Sequence, residues 1–184
     1  MLKLTSKHDC CGCTACASIC PKNCIDMQPD EEGFCYPHID VSQCINCGLC
    51  ERVCPLLNKP QQHEILNVYG SKNINDDIRF ASSSGGMFTL FAAQILNNGG
   101  TVFGAGFDEN LQVCHIGVKD EQHLGKLRGS KYVQSNMNGN FKQVRSLLTG
   151  GSKVLFSGTP CQIAGLKGFL MKDYENLFTV DVVC

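Results

Sequence analysis

Of the 14 cysteines in this 184-residue chain, all but Cys114, Cys161 and Cys184 lie between Cys10 and Cys54. Cys10, Cys13, Cys16 and Cys20, followed by Pro21, form a C-x2-C-x2-C-x3-C-P run. Cys44, Cys47, Cys50 and Cys54, followed by Pro55, repeat it. A cubane [4Fe–4S] cluster has four iron corners, each needing one thiolate. A C-x2-C-x2-C loop supplies three, because two intervening residues let the backbone turn and aim the sulfurs inward. In a doubled run the fourth cysteine reaches the other cluster. The spacing thus assigns cluster one to Cys10, Cys13, Cys16 and Cys54, and cluster two to Cys44, Cys47, Cys50 and Cys20. The proline after each fourth cysteine removes a backbone donor and fixes φ, which redirects the chain.

Other cysteine chemistry fits less well. Structural zinc takes four ligands, usually as two separated C-x2-C pairs, and has no use for a third cysteine one step further on. Disulfides need an oxidising compartment. The N-terminus lacks the apolar core of a signal peptide, and no apolar run reaches the length of a membrane span. A cytoplasmic, reducing setting is therefore expected, and the oxygen sensitivity of exposed clusters favours an anaerobic or microaerobic host. Cys11, Cys24 and Cys35 fall outside the ligand register and read as small buried or neighbouring thiols.

The elements that hold these runs are short. Ile25–Gln28 and Phe34–Ile39 flank a Pro/Gly turn and predict a hairpin lying against the clusters. So small a unit has little apolar core, and iron–sulfur bonds would replace it as the staple. Leu56–Gln62 reads as a linker, which divides the chain into residues 1–62 and 63–184. A net charge of −1, with no basic cluster, argues against a nucleic-acid partner held by charge.

Beyond the linker, strand and helix patterns alternate. Strands are expected at Ile65–Ser71, Thr101–Phe107, Gln112–Val118, Val154–Ser157 and, as a buried strand, Leu177–Val183. Helices are expected from Met87 to Asn97, around Phe141, Val144 and Leu148, and from Pro160 with Thr159 as its cap. The fold expected is an α+β ferredoxin-like two-cluster domain followed by an α/β domain. A buried strand directly followed by Cys184 predicts a chain that is incomplete at its C-terminus: the front portion of a longer protein, or one half of a split one.

Two loops of the second unit carry residues suited to a phosphorylated cofactor. Ser84, Gly85 and Gly86 open a helix, where backbone amides and small side chains suit a pyrophosphate; a plain capped helix fits equally. Lys131 and Tyr132 place a cation and an aromatic ring on a flexible loop, which a solvated loop would also explain. Cys161 starts a helix whose dipole is expected to lower its thiol pKa, as a nucleophile or metal ligand requires; a buried structural cysteine also fits. Cys114 reads as core. The five histidines show no paired ligand spacing and are expected on surfaces or in strands.

Taken in order, Asp30–Phe34, Tyr36-Pro37, the double run, Ser83–Gly86, Gly129–Ser135 and Phe156–Gln162 resemble the coenzyme F-420 hydrogenase/dehydrogenase beta-subunit family. The resemblance covers nearly the whole chain. It implies a flavin-binding α/β domain, with FAD as cofactor and an 8-hydroxy-5-deazaflavin coenzyme as a possible substrate. On that basis Ser84, Gly85, Gly86, Lys131 and Tyr132 are the candidate FAD contacts, and a redox partner or the missing C-terminal portion is the expected partner. Some members hold a further cluster through a cysteine of the Pro-Cys-Gln motif, one after the next strand, and a later C-x2-C pair. That implies Cys161 and Cys184 as further ligands, although the later pair is absent here. The function expected is an electron-transfer flavin oxidoreductase subunit; the alternatives are a non-catalytic electron carrier or docking subunit, or an inactive truncated product.

Overall fold

The computed structural model describes residues 6–60 and 64–183. The start of the expected lead-in, Gln61 and Gln62 of the expected linker, His63 and Cys184 lie outside them.

The N-terminal unit contains helix α1 (Ala15–Ile19), strands β1 (Ile25–Pro29) and β2 (Cys35–Ile39), and helix α2 (Leu49–Arg52). The hairpin is antiparallel, with Ile25 opposite Ile39 and Pro29 opposite Cys35. Asp30 builds its turn: its carboxylate accepts from the amides of Glu32 and Phe34, each at 3.0 Å, and pairs with Lys7. An Asx-type turn of this kind satisfies backbone donors that the hairpin end would otherwise leave to solvent.

The second unit contains α3 (Asp76–Phe80), α4 (Met87–Leu96), β3 (Thr101–Phe107), β4 (Val113–Val118), a 3-10 helix (Glu121–Leu127), α5 (Asn140–Thr149), β5 (Val154–Gly158), α6 (Pro160–Leu170) and β6 (Leu177–Asp181). Its sheet runs β4-β3-β5-β6. β3 pairs with β4 antiparallel, while β3–β5 and β5–β6 are parallel. Strand alternation sends Phe103, Val154 and Phe156 to one face and Val102 and Leu155 to the other. The first face is covered by α1, α5 and α6, the second by α4 and the 3-10 helix.

Two expectations need correction. Residues 65–71 form no strand, and Ile65, Leu66, Val68 and Tyr69 are exposed. Their composition favours a strand, but an extended segment needs a hydrogen-bonding neighbour to become one. β6 is an edge strand with a half-open face, Phe178 being 45% exposed, rather than a buried one.

The cluster-bearing unit has a small buried cluster of its own, Cys16, Cys20, Cys24, Ile25 and Cys50, but its other side merges with the core of the sheet. Cys13, Ala15 and Val53 pack into the same buried cluster as Phe103, Phe141, Phe156 and Phe169. The four rings are wholly buried and in mutual contact. Each such side chain contributes about 1.5–3 kcal/mol relative to exposure.

Candidate metal centre

Both cysteine runs use the same backbone device. Gly12 and Asn46, one residue before the middle cysteine, have φ of 62° and 52°. Thr14 and Gly48, one residue after it, have φ of 64° and 74° and are the N-caps of α1 and α2. Two left-handed residues around one cysteine curl the loop into a cup. Glycine takes that conformation freely, whereas a β-branched threonine does so only under strain.

Two cavities result. One is lined by Cys10, Cys13 and Cys16 of the first run together with Cys54 of the second, and closed by Met27, Pro37 and Leu56. The other is lined by Cys44, Cys47 and Cys50 together with Cys20, and closed by Ile25, Ile39 and Leu49. Each run therefore sends its last cysteine across to its neighbour's cavity. Cys13, Cys16, Cys20, Cys50 and Cys54 are buried, Cys10 and Cys44 half-buried, and Cys47 exposed. Among the described residues, no three or more Cys, His, Asp or Glu side chains draw together as the shell of a single metal ion would require.

Do these residues suit an iron–sulfur cubane? The donor set is all thiol: each cavity has the four cysteines of the runs, which is the ligation such clusters take, and one further cysteine beside them, Cys11 in the first and Cys24 in the second. The Thr14 hydroxyl, at the wall of the first cavity, is buried without a hydrogen-bond partner. A buried hydroxyl left unpaired costs free energy, and cluster sulfur would accept its proton. Burial pushes the Cys16 thiol up to about 12. Cys20 is held below the ordinary thiol range: burial pulls it up, but the amides of Lys22, Asn23 and Cys24 and the Cys24 thiol outweigh that. The donor set and the orphaned hydroxyl both fit the group.

The first cavity abuts the second unit. A Cβ at Gly165 of α6 would lie 3.0 Å from Cys13 Sγ, and one at Gly168 would collide with the Val53 carbonyl. Only glycine lets the helix approach so closely. At the start of α6, Thr159 is the N-cap, and its amide donates to Gln162 Oε1 at 2.9 Å. The Cys161 thiol lies 3.1 Å from Thr159 Oγ1. Contrary to the expectation from the helix dipole, its pKa is raised, chiefly by its neighbour Cys11 and then by burial. The adjacent thiol outweighs a helix end. Cys184 lies outside the described residues.

The two loops expected to hold a flavin come together. The Ser130 amide donates to Ser83 Oγ at 2.9 Å, beside Ser84 and Gly85. Gly86 caps α4 with φ of 73°, and the Gly85 carbonyl accepts from the Asn73 amide at 2.6 Å. Lys131 Nζ donates to the Arg128 carbonyl at 2.7 Å and to that of Lys126 at 3.4 Å, and burial lowers its pKa. Tyr132 is 92% exposed.

Three residues have roles that sequence reasoning missed. Cys24 joins the wall of the second cavity. Its position four residues beyond Cys20 is a visible signal. Thr14 is hidden because a left-handed threonine has no sequence signature. His115 is a buried core residue: Nε2 donates to the Ser157 carbonyl at 3.0 Å, which can only accept, so Nδ1 accepts from Ser135 at 2.7 Å.

Paired thiol cups and a mixed sheet define the class: an iron–sulfur electron-transfer module built onto an α/β unit. Residues 9–57 match the 4Fe-4S dicluster domain family. Over 169 residues the chain is 22% identical to one of the subunits of the F(420)H(2) dehydrogenase of Methanosarcina mazei, covering 85% of this chain and 47% of that protein. This agrees with the resemblance read from the ordered motifs. One of the subunits of the NADH-quinone oxidoreductase of Pelobacter propionicus is 39% identical over 57 residues, covering 27% of this chain and 31% of that one. Ferredoxin 7Fe of Hydrogenibacillus schlegelii is 43% identical over 42 residues, covering 23% and 47%. The chain spans about half or less of the length of these three relatives. Among the described residues, no helix is long and apolar enough to cross a membrane.

Proposed function

We propose that this chain is a subunit that passes electrons between a redox protein partner and FAD, with a deazaflavin coenzyme as a possible final donor or acceptor. In this reading Cys10, Cys13, Cys16 and Cys54 hold one [4Fe–4S] cluster, and Cys44, Cys47, Cys50 and Cys20 hold the other. When bound, the clusters supply one-electron relay, and FAD supplies the exchange between one-electron and two-electron chemistry. The single observation that carries the reading is the crossing of Cys20 and Cys54 into opposite cavities.

The chain's own residues perform four tasks. The eight thiolates hold iron. Met27, Pro37, Ile25 and Ile39 exclude water from the cavities. Gly165 and Gly168 bring α6 against the loop of Cys13 and against Val53, so cluster one is the one that faces the α/β unit. Ser84, Gly85, Gly86, Lys131 and Tyr132 lie on the loops joined by Ser83 and Ser130, and are the candidate FAD contacts. The proposed division is residues 1–62 for the cluster domain and 63–184 for the front of the flavin unit, in a reducing cytoplasm.

The test is anaerobic reconstitution with iron, sulfide and FAD. Wild-type protein is expected to hold about eight irons, as two four-iron clusters require. Cys20→Ser is expected to deplete the cluster of Cys44, Cys47 and Cys50 while sparing the other. Zinc in place of iron and sulfide, with no EPR signal after dithionite, would overturn the reading. Full iron without flavin uptake would favour the second reading, a non-catalytic electron carrier, which rests on the ferredoxin-type match confined to residues 9–57.

A further inference from the structure

Like the first cavity, which Cys11 joins, the second is lined by five thiols, one more than a cubane has iron corners. The fifth belongs to Cys24, which is 5% exposed. Its Sγ lies 3.4 Å from Cys20 Sγ, within reach of a sulfur hydrogen bond. It also neighbours Cys44, a second thiol assigned to the same cluster. The backbone pins it there: Asn23 turns left-handed at φ 49°, and the Cys24 carbonyl accepts from the Asp40 amide at 2.9 Å.

We propose that Cys24 is a positioning residue whose S–H donates a hydrogen bond to the Cys20 ligand sulfur and thereby raises the reduction potential of cluster two. The inference rests on the two-cluster reading above. A sulfur bound to iron as a thiolate has no proton to give, so in the loaded protein Cys20 can only accept and Cys24 must donate. Hydrogen bonds to cluster sulfurs are one of the determinants of potential. The reduced cluster carries one more negative charge than the oxidised one. A donor aimed at its ligand sulfur therefore favours the reduced state, and removing the donor makes the potential more negative.

The repeat supplies an internal control. Cys24 lies four residues after Cys20; the residue four after Cys54 is Asn58. The Asn58 amide is engaged with the Glu51 carbonyl at 2.7 Å and the Cys54 carbonyl at 3.4 Å. The Cys24 effect is thus confined to cluster two.

The experiment is an EPR-monitored redox titration of the full chain, reconstituted anaerobically, with the cluster-two signal identified by its loss in Cys47→Ser. Cys24→Ala is expected to keep the wild-type iron content and to shift the cluster-two midpoint to more negative potential, leaving cluster one in place. Cys24→Ser, which keeps a donor, is expected to fall between Ala and wild type. An unmoved cluster-two midpoint in Cys24→Ala, or equal shifts in both clusters, would overturn the inference. So would loss of cluster two in both variants, because that would make Cys24 an iron ligand rather than a donor. Failure of the underlying reading is distinguishable: wild-type protein would then hold no iron or sulfide.

Discussion

The side-chain amide of Gln134 binds the Cys35 backbone as a strand neighbour would. The Cys35 N–H donates to Gln134 Oε1 at 2.6 Å, and the Cys35 carbonyl accepts from Gln134 Nε2 at 3.3 Å. One side chain from the loop after Lys131 thus completes the hairpin of the cluster unit. It also closes over Gly12, where a Cβ would meet Gln134 Nε2. Gln134→Ala should leave the Cys35 donor without its partner and cost about 1–3 kcal/mol. Denaturation curves measure the loss, and faster hydrogen exchange at the Cys35 amide would locate it.

Gly168→Ala tests the contact between α6 and the cluster loops. Alanine favours a helix by about 1 kcal/mol over glycine. Here, however, its Cβ would run into the Val53 carbonyl. Overpacking against backbone costs about 1–3 kcal/mol, so the clash wins and stability falls. Because Val53 precedes Cys54, the EPR signal of cluster one should broaden or shift more than that of cluster two.

His115 makes stability depend on pH. Burial lowers its pKa from 6.5 to about 4. The unfolded chain therefore binds the extra proton first as pH falls. The contribution is fully present above about pH 6.5 and is lost as pH falls through about 4, amounting to about 3 kcal/mol. His115→Gln should flatten the slope of unfolding free energy between pH 6.5 and 4. Comparison with wild type cancels the acid sensitivity that both share.

Lys131→Ala tests the proposed FAD site separately from the clusters. Its ammonium ties the carbonyls of Arg128 and Lys126. Removing it should loosen the loop and weaken FAD binding roughly tenfold, the size expected for one charge-assisted hydrogen bond. Iron content should be unchanged. Flavin fluorescence titration and iron assay read the two separately, and unaltered FAD affinity would remove Lys131 from the site.

The second unit's elements were largely legible because their patterns are local. Met87–Leu96, Asn140–Thr149 and the Thr159-Pro160 start of α6 declare themselves by periodicity and caps. Ile65–Ser71 misled for the opposite reason, since a strand is defined by its neighbour and no composition supplies one.

The amino-acid sequence by itself determined the cluster chemistry, because cysteine spacing limits how far a loop can carry its sulfurs and because thiolate count matches iron corners. Only the tertiary structure decided that Cys24 faces Cys20, that Gln134 closes the hairpin, and that α6 lies against the loop of Cys13. Apart from Cys24, whose spacing from Cys20 is visible, those relationships join residues far apart in the chain. They depend on where glycine permits backbones to meet and which buried polar groups then find partners.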